Sequence, residues 1–401
     1  MSTQNIDIKD IAKLPSIKSW KSDELARRMA FRLFNNLKHG ELIVREGDET
    51  HRFGGYDLSV APSVTVTINN PRAYSRIVMG GTIGGGEAYI DGDWSTEQLT
   101  EVTRVFSANM PLLEAMKDQQ NWLVKAALKL AHSARRNSHT GSRENIAAHY
   151  DLGNDFFSLF LDPTLMYSSA VFPEGCDNLN EASQHKLRLI CEDLELKPSD
   201  HLIEIGTGWG GMAIFAAENY GCRVTTTTIS REQLEYAKKE VEARGLEDRI
   251  TLLFEDYRDL TGSFDKLVSI EMIEAVGHEY FDTYFDCVSK LLKPDGKAVI
   301  QAITINTQRY DEYRRSVDFI KRYIFPGGCL PSLDVIGSAL TRKTDMQLIG
   351  LRDIALDYAE TLKHWHEAFL KELDTVKSMG FDEKFIRMWR FYLSYCEGGF
   401  R

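Results

Sequence analysis

Apolar positions recur at helical spacing through residues 23–37, DELARRMAFRLFNNL, and the chain then switches to the strand-like alternation of GELIVREGD. SVTVTINNP reads as another strand closed by a turn. IVMGGTIGGGEAYIDGDW is rich in glycine, and STEQLTEVTRVFSANM opens with Ser95, placed to cap a helix whose third residue is Gln98. Residues 1–135 therefore read as a small α+β domain. The polar, basic run HSARRNSHTGSRENIAAHY breaks the pattern and marks a linker at 136–144. From 145 to 401 the rhythm changes: LIEIG, RVTTTTI, ITLLFED, DKLVSIEMI and KAVIQAI are each a candidate buried strand, separated by helical stretches such as GMAIFAAENY and REQLEYAKKEVEARG. Strands alternating with helices predict an α/β domain with a parallel sheet covered on both faces.

Composition narrows the partners. A net charge of −11 argues against nucleic acid, whose phosphates need an excess of Lys and Arg. Six dispersed cysteines with no CxxC pair argue against a zinc site or a disulfide framework. The start of the chain has no basic segment followed by an apolar one, so a cytoplasmic location is expected.

The candidate chemistry begins at LIEIGTGWGG, where a strand runs into a turn carrying Gly206, Gly208, Trp209 and Gly210. Glycines there let the backbone approach a ligand, and the following helix presents free N–H groups. The spacing of Gly206, Gly208 and Gly211 fits GxGxxG, so a nicotinamide cofactor is the first possibility. That cofactor calls for a carboxylate at the end of the second strand, where this chain has Thr228 and Ser230. S-adenosylmethionine is the better match: its charged amino-acid group suits the acidic strand end at Glu204, and Asp256 and Tyr257 follow the third strand where an adenine can be bonded and stacked.

AAHYDLGNDFFSLFLDPTLMYSSAVF, EIGTGWGGMAIFAAENY, TISREQLEYA, DYRDLTGSFDKLVSIEMIEAVG, YFDTYF and YIFPGGCLPS, in that order, resemble the cyclopropane fatty-acyl-phospholipid synthase family, densely over 145–401 and more weakly through GEAYIDGDW. The resemblance implies a class I, Rossmann-like methyltransferase domain with a mostly parallel sheet of the seven-stranded type. It implies transfer of a methyl group from S-adenosylmethionine to the cis double bond of a phospholipid acyl chain, with a bicarbonate ion as base. It further implies cofactor contacts from Tyr167, Ser168, Gly206, Gly208, Thr228, Ser230, Gln233, Asp256 and Tyr257. Of the bicarbonate ligands, Glu274 in EMIEAVG matches the family's Glu and Tyr358 its Tyr, but Ser169 stands where the family has Cys and Gln301 where it has His. Neither replacement carries a charge near neutral pH, although both can donate hydrogen bonds to an anion. The expected product is a cyclopropane. The alternatives are methyl addition without ring closure, for which Glu274 itself is a candidate base, and a non-catalytic lipid-binding relative.

Alkene methylation leaves a carbocation, which aromatic faces stabilise without reacting; Tyr167, Phe172, Tyr284 and Tyr358 are available, each also at home in an ordinary core. Cys396 matches a cysteine long suspected as a nucleophile in the family, yet the chemistry needs no covalent intermediate, and a buried thiol is the simpler role. His364 and His366, two apart on a helix, point to different faces and predict no metal site. Residues 309–325, RYDEYRRSVDFIKRYIF, interleave basic and aromatic side chains as an interfacial helix would, and KAALKLAHSARR is a second basic patch. Peripheral membrane contact and a homodimer follow from the resemblance, as does one more strand beyond Arg401, without which its sheet neighbour is an exposed edge.

Overall fold

The computed structural model describes residues 23–112 and 152–401, which fall into two compact units. The first holds residues 23–112 with Thr375–Gly399 and Arg401, and the second holds residues 152–374 with Phe400. The contacts thus group Thr375–Gly399 with the first unit, whereas the sequence pattern assigned all of 145–401 to one domain. The linker at 136–144 and the basic patch KAALKLAHSARR lie outside the described residues.

In the first unit α1 (Asp23–Phe34) precedes a hairpin of β1 (Glu41–Glu46) and β2 (Glu49–Gly54), then β3 (Ser63–Ile68), α2 (Arg72–Ile90), β4 (Trp94–Ser95) and α3 (Leu99–Ala108). The sheet order is β2-β1-β3-β4, with β1 and β3 parallel and the outer pairs antiparallel. Alternation works as predicted, since Leu42, Val44, Val64 and Val66 are buried. The glycine-rich segment is helical, broken by Gly81 at φ 58°. Ser95 caps nothing: α3 starts at Leu99, and the Thr96 hydroxyl instead accepts the Gln98 N–H at 3.0 Å. The C-terminal helix Glu383–Phe400 packs on α3 so closely that a Cβ at Gly398 would lie 2.0 Å from Thr103 Oγ1. That hydroxyl donates to the Ser394 carbonyl at 2.8 Å.

In the second unit α4 (Leu179–Asp193) leads to β5 (His201–Ile205), α5 (Gly211–Tyr220), β6 (Arg223–Thr227), α6 (Arg231–Ala243), β7 (Ile250–Leu253), β8 (Phe264–Ile270), α7 (Phe281–Leu291) and β9 (Leu292–Gln301). The sheet runs β7-β6-β5-β8-β9, parallel throughout. Five strands form it among the described residues, against the seven of the expected type. Both faces are covered: Leu202 points into one apolar cluster with Met212 and Val224, and its neighbour Ile203 into another with Leu267 and Phe285. Pro294-Asp295-Gly296 bulges within β9, where Leu292 pairs with Phe264 and Lys297 with Lys266. Strand order reverses between β5 and β8, which places a crevice at the carboxyl ends of those strands.

After β9 come α8 (Thr307–Tyr313), α9 (Phe319–Tyr323), α10 (Leu333–Lys343) and α11 (Ala355–Lys371). The basic aromatic run is therefore two short helices rather than one interfacial helix, and Tyr310, Phe319 and Lys321 are buried. Lys321 is held by the Tyr313 carbonyl at 2.7 Å and lies 3.5 Å from the Tyr313 ring centre. Among the described residues, no helix is long and apolar enough to cross a membrane.

Candidate active site

At the end of β5 the Gly206 and Thr207 amides donate to the Thr227 carbonyl at 3.1 and 3.0 Å, binding the turn to the end of β6. Gly206, Gly208 and Gly210 have φ of 101°, 52° and 95°, the left-handed region that costs glycine little. No atom lies within 4 Å of the place a Gly208 Cβ would take, so this stretch of backbone faces open space ahead of the α5 N-terminus. Trp209 turns away from that space: its indole is buried and donates to Asn154 Oδ1 at 2.7 Å.

The predicted residues at the end of β6 form one uncharged group. Thr228 Oγ1 donates to Gln233 Oε1 at 3.1 Å and accepts the Ser230 N–H at 3.1 Å, while Ser230 Oγ caps α6 by accepting the Gln233 N–H at 3.3 Å. Asp256 is engaged by Arg258, with Nε and Nη2 each at 2.7 Å, and is thus less available to an adenine than expected. The Tyr257 ring packs edge-on against Tyr284, and its buried hydroxyl has no partner. Glu204, behind the turn, is buried and accepts the Thr226 hydroxyl at 2.6 Å; burial pushes its pKa up to about 8.

A second group assembles beyond β8 and β9, and its hub is a residue the sequence reading passed over. Glu271 adopts φ 48°, rare for a residue with a side chain. Its Oε1 accepts the Ser169 amide at 2.8 Å and Gln301 Nε2 at 2.9 Å, and its Oε2 accepts the Tyr358 hydroxyl at 2.8 Å. Its main-chain N–H donates to the Gln301 carbonyl at 2.8 Å. Ser169, Gln301 and Tyr358 do converge, but on a carboxylate of the chain itself. Ser169 serves through its amide, because its hydroxyl donates to the Ala170 carbonyl.

Glu274, expected at the centre, sits in the next turn. Its Oε1 accepts the Ile303 amide, and its buried Oε2 has no partner. Burial first and the neighbouring Glu271 second push its pKa up to about 8. Burial also raises the pKa of Glu271, opposed by the Ser169 amide, the Lys186 charge, Tyr358 and Gln301. The signal was present in EMIEAVG, which carries two glutamates three residues apart.

The segment bearing Tyr167, Ser168 and Ser169 is fastened to α11: Thr361 Oγ1 accepts the Ala170 amide at 3.1 Å and Asp357 the Phe172 amide at 2.8 Å. Trp365, also missed in the sequence, joins the aromatic wall at 5.2 Å from Tyr167 and 6.1 Å from Tyr358 between ring centres. Phe172 stacks instead on His364, and Tyr284 is core beside Phe285. Cys396 lies on the C-terminal helix, in the first unit. His364 Nε2 is 3.1 Å from Asp177 and 3.8 Å from Glu360, whose carboxylate Lys363 also holds at 2.6 Å.

Two polar groups at one crevice, a glycine turn for a nucleoside ligand and a carboxylate hub walled by aromatics, are what a methyl donor and a reluctant acceptor require. The profile of the family described as mycolic acid cyclopropane synthetase matches residues 137–401. The chain belongs to this family. Its members are S-adenosylmethionine-dependent methyltransferases, and this chain is an enzyme of that type. It is 38% identical over 349 residues to the tuberculostearic acid methyltransferase of Mycobacterium tuberculosis, covering 85% of this chain and 81% of that protein. It is 37% identical over 350 residues to the cyclopropane-fatty-acyl-phospholipid synthase of Escherichia coli, covering 86% and 87%. A mycolic acid cyclopropane synthase solved with SAH and CTAB superposes with a TM-score of 0.60 at 31% identity, covering 64% of this chain and 93% of that one.

The residues present fit S-adenosylmethionine. The open space at Gly208 admits a ligand against bare backbone, and the hydroxyls and amide of Thr228, Ser230 and Gln233 suit ribose hydroxyls without a carboxylate.

Proposed function

We propose that this enzyme methylates the cis double bond of an unsaturated phospholipid acyl chain, with Glu271 as its built-in base, and releases a methylene-branched chain rather than a cyclopropane. The observation that carries this reading is the Glu271 carboxylate bonded to Ser169, Gln301 and Tyr358, three of the four residues that the resemblance assigns to a bicarbonate ion. Three donors on an acceptor-only group leave no need for a second anion there.

When bound, S-adenosylmethionine supplies the electrophilic methyl group. The alkene π pair forms the new C–C bond as the carbon–sulfur bond breaks, leaving a cation on the neighbouring carbon. Tyr167, Trp365 and Tyr358 offer faces that hold positive charge and keep water out. Either outcome requires a base to take one proton from the added methyl group. A carboxylate whose lone pairs already accept three hydrogen bonds is a slow base, and the delay lets a hydride shift move the cation to the branched carbon. Loss of a methyl proton to Glu271 then yields a methylene branch, C=CH2, on the open chain. Burial and the neighbouring Glu271 push the Glu274 pKa up to about 8, which favours its protonated form near neutrality.

The test is to incubate the enzyme with S-adenosylmethionine and liposomes rich in cis-monounsaturated phospholipid and to solve the product by NMR. Both products gain one CH2, so mass alone does not separate them. The two protons of a C=CH2 branch are expected. A cyclopropane would overturn the assigned product.

A further inference from the structure

We propose that Lys186 is the buried counter-ion of Glu271 and thereby a positioning residue, holding the base in its charged form and the cofactor-side serine in place. The inference rests on the assignment of Glu271 as base. Lys186 lies on α4 and is one of the largest wholly buried side chains among the described residues. Its ammonium donates to Ser168 Oγ at 2.7 Å, and that serine is itself buried. A neutral hydroxyl cannot balance a charge taken out of water, so an anion must do so through space.

Two anions act on Lys186, Glu271 first and Asp162 second. Asp162 is occupied elsewhere: its oxygens accept the Thr164 amide at 2.9 Å, the Met166 amide at 3.0 Å and the Thr164 hydroxyl. Glu271 in turn accepts the Tyr358 hydroxyl and lies in the fields of Lys186 and Glu274. Glu274 works against its charge and Tyr358 is neutral, which leaves Lys186 as the cation that favours the carboxylate. Burial draws the Lys186 pKa down to about 8, a partial loss that the two anions limit. Ser168 and Ser169 are adjacent, so one ammonium fixes the cofactor side of the segment while the next amide holds the base.

The coupling is read without turnover. The carboxylate band of Glu271 is isolated in infrared difference spectra, wild type minus Glu271→Gln, and titrated with pH. The same difference is then taken in a Lys186→Met background. The expected result is a midpoint about 1–3 units higher without the ammonium; an unchanged midpoint overturns the pairing. If Lys186→Met fails to fold, the converse measurement serves. In Glu271→Gln the Lys186 side-chain nitrogen, followed by 15N NMR, should deprotonate at lower pH than in wild type, and an unmoved titration overturns the pairing equally. The prior assignment fails separately: wild-type rates of methylation by Glu271→Gln would remove Glu271 as base whatever the midpoints show. Lys186→Arg, which retains charge, should keep the midpoint within half a unit even where the bulkier head lowers kcat.

Discussion

Two glutamates at the carboxyl ends of neighbouring strands in one sheet do opposite things. On the cofactor side, Glu204 stands behind the glycine turn with the Thr226 hydroxyl on one oxygen opposing the effect of burial. Such a group stays protonated through neutrality and acts as a polar brick. At the end of β8, Glu271 gathers three donors and the field of an ammonium. Glu204 is fully buried and Glu271 partly so. The number and kind of partners decides whether a buried carboxyl is scaffold or reagent, and proton transfer needs the second kind.

Replacing the reagent should have the largest effect. Glu271→Gln keeps shape and two of the acceptor contacts but removes the base, so kcat should fall about 10²–10⁴-fold while SAH binding, followed by calorimetry, stays close to wild type. If SAH binding falls in parallel with kcat, the two sides are not separable and the comparison breaks. A sharper version empties the hub. In Glu271→Gly the Ser169 amide, Gln301 and Tyr358 are left without their anion, and added bicarbonate should restore part of the activity. The wild-type rate should be indifferent to bicarbonate removal. Stimulation of wild type by bicarbonate would mean that a second anion binds despite Glu271.

Next in size is the removal of one donor. Tyr358→Phe takes the hydrogen bond from Glu271 Oε2, and a bond to a charged group carries about 1.5–3 kcal/mol. About a tenfold loss in kcat is expected near neutrality. The sign of the pH effect is fixed: losing a donor disfavours the ionised form, raises the pKa, and moves the acid limb of the pH–rate profile to higher pH. A profile that drops without moving would leave Tyr358 as wall rather than donor.

The contrast also explains what could be read from the sequence. Cofactor-side features are local: a glycine turn after a strand and a Ser cap three residues before Gln233 are written in consecutive residues, and the structure brings Thr228, Ser230 and Gln233 together as expected. The parallel sheet was legible for the same reason, since each candidate buried strand is a run of consecutive residues. The hub is not local. Its members come from positions 169, 271, 301 and 358, joined only when β8, β9 and α11 are in place. Family likeness pointed to three of them and to Glu274, but a glutamate placed where no anion ligand was sought stayed hidden in EMIEAVG. Helix packing escaped likewise: nothing between residues 373 and 401 announces that the C-terminal helix joins α3 rather than the sheet, because the reason is the missing side chain of Gly398 against Thr103.

The smallest effect is expected at the other end of the comparison. Glu204 has its pKa raised from the ordinary carboxyl range to about 8 by folding, so the native state holds a proton that the unfolded chain gives up near pH 4.5. Stability from this group is fully present below pH 4.5 and is lost as pH rises through about 8. Glu204→Gln removes the titration yet keeps a neutral side chain of the same shape, able to accept from Thr226. At pH 5 its melting temperature should match wild type, and by pH 8.5 the variant should be the more stable of the two. The difference between the two melting curves across that range isolates Glu204 from the other carboxyl groups, including Glu274. Methylation at pH 7 should change by less than about threefold, a shift worth about 0.7 kcal/mol. A large loss of SAH affinity in Glu204→Gln would show that its charge serves the cofactor, and the scaffold half of the comparison would fall.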